Sequence, residues 1–104
     1  MKQVIDGKLY NTETATLLHE WDNGIYDSDF RYVDEALYVS KKAQYFIAGR
    51  GGAMTDYKKA AGQNSWSGGR KIWTLDRPAA IKWLEEHNGT DALETHFADA
   101  IAEG

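Results

Sequence analysis

The chain of 104 residues has no cysteine and one proline. The first absence excludes disulfides, thiolate-held zinc and a cysteine nucleophile, and it permits a reducing compartment. Long apolar runs are missing too. Nothing approaches the span that a membrane helix needs, and the opening MKQVIDGKLY has no apolar stretch of signal-peptide type, so the chain reads as a cytoplasmic protein with no membrane partner. Nucleotide-binding glycine motifs are also absent. Neither Gly-x4-Gly-Lys-Ser/Thr nor Gly-x-Gly-x2-Gly opening a helix occurs, so no nucleotide cofactor is expected. His19, His87 and His96 form no His-Glu-x-x-His spacing, and no metal site is expected either. His87 and His96 read instead as solvated or capping residues near helix ends.

What is present suits one folded domain over residues 1–104. The hydrophobic share is 42%, and 4 Trp, 6 Tyr and 3 Phe supply bulky core material, which argues against disorder. The net charge of -4 hides a division along the chain. Residues 1–40 carry three basic and eight acidic groups. Residues 41–73 reverse this, with Lys41, Lys42, Arg50, Lys58, Lys59, Arg70 and Lys71 against Asp56 alone. Residues 74–104 are acidic again, with Arg77 and Lys82 against seven carboxylates. A basic centre that also holds Tyr45, Phe46, Tyr57, Trp66 and Trp73 can neutralise phosphates and stack bases. The competing reading is that the cations lie against the acidic flanks while the aromatics fill the core.

Local patterns predict the elements. Asp6-Gly7 between Val4-Ile5 and Leu9-Tyr10 predicts a tight hairpin. Thr14, Leu17, Leu18 and Trp21 follow the i, i+3, i+4, i+7 spacing of a helix that Asn11 or Thr12 would cap and Asn23-Gly24 would end. Ile25 to Glu35 reads as a loop leading into a strand around Phe30 to Val33. Leu37 to Ser40 and Gln44 to Ala48 read as a second hairpin turning at Lys41-Lys42. Six of the ten glycines fall between Gly49 and Gly69, around a helical turn expected from Met54 to Ala61. Ile72 to Leu75 reads as a strand. Asp76 then caps a helix with Pro78 in its first turn and Ala80, Ile81 and Leu84 inward; Gly89 stops it. A last helix from Thr90 carries Leu93, Phe97, Ala100 and Ile101 as an apolar stripe. The expected fold is therefore α+β: an antiparallel sheet of about five short strands, one N-terminal helix and two C-terminal helices.

Two segments bear on function. Arg50 and Arg70 abut glycine clusters whose backbone N–H groups can form an anion-binding concavity, or simply turns that need unusual dihedrals. Gln63-Asn64-Ser65-Trp66-Ser67-Gly68-Gly69-Arg70 gathers amide, hydroxyl, indole and guanidinium groups suited to recognition, though a polar turn with Trp66 in the core fits equally. It is not a nucleophile elbow, because Ser65 stands where that motif needs glycine. Glu85-Glu86 and Asp27-x-Asp29 read as solvated faces, and nothing marks a general acid-base pair.

Gly7-Lys8-Leu9-Tyr10-Asn11-Thr12-Glu13-Thr14-Ala15, Tyr45-Phe46 with the Gly49 to Gly52 run, Asn64-Ser65-Trp66-Ser67-Gly68-Gly69 and the strand before Ala79 to His87 resemble, in patches over most of the chain, a group of short uncharacterised proteins of bacterial prophages and other mobile elements. The resemblance brings no catalytic residue. It implies a small non-enzymatic protein that binds host machinery, including nucleic-acid-handling complexes. The leading expectation is a binding protein whose Arg50, Tyr57, Lys58, Lys59, Trp66, Arg70 and Lys71 contact nucleic acid or a nucleoprotein partner. An alternative is an inhibitor of a host protein whose terminal helix, through Asp91, Glu94, Asp99 and Glu103, imitates phosphate charge. A third is a small enzyme acting on an anionic ligand at the glycine loops.

Overall fold

A computed structural model describes residues 1–104. Eight strands precede two helices. They are β1 (Lys2–Ile5), β2 (Lys8–Asn11), β3 (Thr16–Asp22), β4 (Val33–Val39), β5 (Tyr45–Gly51), β6 (Lys59–Gly62), β7 (Ser65–Ser67) and β8 (Gly69–Leu75), then α1 (Arg77–Glu86) and α2 (Thr90–His96). The central sheet runs β3-β4-β5-β8, antiparallel throughout, while β1-β2 and β6-β7 are separate two-stranded hairpins. No helix is long and apolar enough to cross a membrane.

The sheet is covered on both sides. On one face Leu37 and Ile47 pack with Ala80, Trp83 and Leu84 of α1, Ala92 of α2 and Phe97 just beyond it. On the other, the β1-β2 hairpin lays Tyr10 over Phe46 and Ile72. Tyr10 meets Phe46 edge-on at 5.4 Å, and Phe46 stacks on Tyr38 at 5.3 Å. The strand period of two sends Phe46 to one layer and Ile47 to the other. Gln3 fastens the hairpin by accepting the backbone N–H of Ile72 at 3.2 Å, so β8's outer edge is partly satisfied.

The first hairpin turns as expected, with Asp6 at φ 52° and Gly7 at φ 76°, both in the left-handed region that a two-residue turn requires. The β4-β5 hairpin turns at Lys41-Lys42, as its sequence predicts. At the start of α1, Asp76 accepts the Ala79 N–H at 2.9 Å, and Pro78 sits in the first turn.

The expected N-terminal helix does not exist; its residues form edge strand β3. A bulge between Leu17 and His19 explains the misreading. Leu17 pairs with Tyr38 and His19 with Leu37, leaving Leu18 as the extra residue. Leu18 and Trp21 both pack against the helix-side core, so three-residue spacing arises from a strand that gains one residue. The expected single sheet of about five strands is instead a four-stranded sheet with two separate hairpins, because β1-β2 and β6-β7 pair only within themselves. Three smaller expectations also change. Phe30 is outside any strand, because the Asp29 carboxylate accepts the Arg31 N–H at 2.8 Å and turns the chain before Val33. Met54 to Ala61 holds no helical turn: residues 59–62 are β6, and Thr55 organises the preceding loop by donating to Gly52 O at 2.8 Å. The terminal stripe is broken after His96, with Ala98–Ala100 a short 3-10 turn and Ile101 45% exposed.

Candidate functional site

Strand register decides which cations can meet. Asp22 stands opposite Asp34, Asp34 opposite Arg50, and Arg50 opposite Arg70, one charged row across four strands. Arg50 is drawn to its acidic neighbour: its Nε donates to Asp34 Oδ2 at 2.8 Å and its Nη2 lies 2.7 Å from the same oxygen. That hydrogen bond raises the guanidinium's hold on its proton. Arg70 makes no such pair. Like charges directly opposite in a sheet repel, so Arg70 stands beside Arg50 without compensation from the protein.

Lys59 closes the group. Gly69 has no side chain, and a Cβ there would meet Tyr57 O at 2.6 Å. The chain therefore passes close beside β8 at residues 57–59 and carries Lys59 to the rim. Arg50, Lys59 and Arg70, with Tyr32 and the backbone of Gly68-Gly69, line an open depression of about 320 Å³. The Arg50 guanidinium lies 5.7 Å from the Tyr32 ring centre. Neither Lys59 nor Arg70 forms an ion pair.

The β6-β7 hairpin projects from this depression. Its residues 59–66 are all exposed, and its chain reverses at Asn64, φ 60°. Trp66 pairs with Ala60, and Lys59 pairs with Ser67, so the indole and Lys59 occupy opposite faces of the ribbon. Lys58 shares the indole's face and places its Nζ 4.8 Å from the ring centre. Trp66 is 55% exposed.

The expected seven residues thus divide. Arg50, Lys59 and Arg70 converge, and Lys58 with Trp66 stands on the adjoining arm. Lys71 turns to the other face of β8, because neighbouring strand residues alternate, and its Nζ lies 5.6 Å over the Tyr57 ring. Tyr57 is interior, 6% exposed, and has no ring face free to stack. Among the acidic residues of the alternative reading, Asp99 is bound to Arg77 at 2.7 Å, while Asp91, Glu94 and Glu103 are exposed.

Tyr57 belongs to a polar network that sequence patterns did not reveal. Gly49 lies opposite Glu35 in β4 and Lys71 in β8, and a Cβ at residue 49 would sit 1.9 Å from the Tyr57 hydroxyl. The missing side chain is the seat of the Tyr57 ring. From there Tyr57 donates to Glu35 Oε2 at 2.5 Å, and Trp83 Nε1 of α1 donates to Glu35 Oε1 at 3.0 Å. Trp73 Nε1 donates to the Tyr57 oxygen at 3.0 Å. Burial first, then the Glu35 carboxylate, keep the Tyr57 hydroxyl protonated well above the usual tyrosine range, while the Trp73 N–H works in the opposite direction. His87, read from sequence as solvated or capping, is the C-cap of α1 and packs between Trp83 at 4.4 Å and Trp21 at 4.5 Å. Its Nε2 lies 3.8 Å from Glu35 Oε1, and its carbonyl accepts from His19 Nε2 at 2.8 Å. Both Glu35 oxygens are occupied by donors from other elements. The carboxylate therefore works as a clamp joining sheet, loop and α1, and it borders a hollow of about 170 Å³ and an open depression of about 500 Å³.

Comparison of the chain with protein-family models, with curated proteins and with solved structures finds no match in any of the three.

Proposed function

We propose that this protein is a non-catalytic binding module for a phosphate-bearing polymer, with nucleic acid as the ligand class. The observation that carries the reading is the meeting of Lys59 and Arg70, neither paired with a carboxylate, beside Arg50 at one depression. Guanidinium and ammonium groups crowded together repel one another, and a phosphate between them relieves that repulsion. Gly68 and Gly69 leave backbone within reach of the same rim.

The test is retention on heparin and on immobilised oligonucleotide over a salt series. Lys58, Lys59 and Arg70 are three uncompensated cations, so log affinity should fall with log salt at a slope of about -2, from roughly 0.7 per phosphate on a single strand. Lys59→Ala with Arg70→Ala should abolish most retention, whereas Lys71→Ala, on the opposite face, should leave it nearly intact. Salt-independent retention, or equal loss from Lys71→Ala, would reject the reading.

A further inference from the structure

Building on that reading, we infer that the β6-β7 arm selects single-stranded over duplex nucleic acid by stacking an unpaired base on Trp66. The ring is the largest side chain on the arm, and the fold gives it no pocket. Every residue of 59–66 is exposed, so nothing in the core explains an indole there. The partner opposite Trp66 is Ala60, a side chain too small to cover the ring, and the remaining neighbour on that face, Lys58, presents a cation to it. An exposed aromatic plate with an ammonium over one face is an arrangement that binds a base and its phosphate together. Base-paired strands keep their π-faces inside the stack, so a duplex offers this plate nothing except at an end.

Charge density leads to the same ligand. A duplex carries one phosphate per ~1.7 Å of axis and a single strand half as many. Three uncompensated cations against a net charge of -4 suit the sparser polymer, because a duplex long enough to reach them brings twice the repulsion against the acidic flanks. The ribbon is also short for an element that reads a duplex groove. Its paired part is short, from Lys59 to Gly62 and Ser65 to Ser67, and its tip carries Gln63 and Asn64 with no charge to hold a duplex backbone.

The experiment uses the full chain with oligodeoxythymidylate of about ten nucleotides, the matching dA·dT duplex, and heparin as a charge-only control. Fluorescence anisotropy measures binding to the labelled oligonucleotides. Trp66→Ala should weaken binding to the single strand about tenfold or more, Trp66→Phe should recover much of it, and heparin retention should not change with either. Wild-type protein should bind the duplex at least tenfold more weakly than the single strand. Equal affinity of wild type and Trp66→Ala for the single strand, or equal affinity of wild type for the two forms, overturns this inference while salt-dependent heparin retention leaves the broader reading standing. Failure of the wild type on all three probes removes both. No side chain of the arm belongs to either core layer, so these variants should keep the wild-type unfolding midpoint, and loss of binding is then a loss of contact.

Discussion

Replacing Glu35 with glutamine keeps its shape and changes what its two heteroatoms can accept. The carboxylate receives the Tyr57 O–H on one oxygen and the Trp83 N–H on the other. An indole N–H can only donate, so the glutamine oxygen must stay with Trp83 and the amide NH2 must face Tyr57. The Tyr57 oxygen already accepts from Trp73. It would then accept a second donor while its own hydrogen loses its acceptor, a stranded buried donor that costs about 1–3 kcal/mol. Loss of the charge weakens the Trp83 bond by roughly 1 kcal/mol more. The expected total is about 2–4 kcal/mol, a fall in Tm on the order of 15 °C for a domain of this length. Urea titration should show a lower midpoint with an unchanged slope. Tyr57→Phe removes the stranded hydrogen, so adding it to Glu35→Gln should cost less than the sum of the single changes, by about 1 kcal/mol. A Glu35→Gln protein within 0.5 kcal/mol of wild type, or strict additivity of the pair, would show that the clamp contributes nothing (thresholds on the order of measured neighbour coupling).

Two more outcomes follow from the same region. Gly49→Ala drives a Cβ into the Tyr57 ring and should destabilise the fold by about 1–3 kcal/mol, but by much less in a Tyr57→Ala background; equal cost in both backgrounds, read by urea unfolding, would refute the packing described. Tyr57 and Tyr38 are both held neutral chiefly by burial, with Glu35 and Glu20 respectively adding to it, so each is more readily ionised in the unfolded chain. Their contribution to stability is complete below the ordinary tyrosine pKa of ~10 and disappears as pH rises through the higher folded value. Absorbance at alkaline pH should show Tyr57 and Tyr38 ionising late, coincident with loss of structure, and Tyr57→Phe and Tyr38→Phe should each remove part of that late change; an unchanged late change in both variants would contradict this.

Strong local chemistry was legible. Asp6-Gly7, the Asp76 cap with Pro78 and the run from Tyr45 to Ala48 each state their structure within a few residues, since turn dihedrals and caps are local demands. Residues 14–21 were not, because a bulge gives an edge strand the spacing of a helix, and only pairing with β4 distinguishes the two. The convergence of Arg50, Lys59 and Arg70 was half visible. Composition gathers the cations in one stretch, but alternation along β8 sends Arg70 and Lys71 to opposite faces, and that depends on register. Glu35 gave no local signal at all. Its partners come from residues 57 and 83, and the useful clue was Gly49, a glycine inside a strand where close approach of another group is the physical expectation.

The β6-β7 arm contributes no buried side chain to either core layer, and Glu35 holds the rest together without it. Its sequence is consequently answerable to whatever it touches and hardly at all to folding. Descendants of this chain could exchange residues 60–66 wholesale, acquiring new ligands while the scaffold stays as it is, and a laboratory library confined to those positions should remain folded across nearly all of its members.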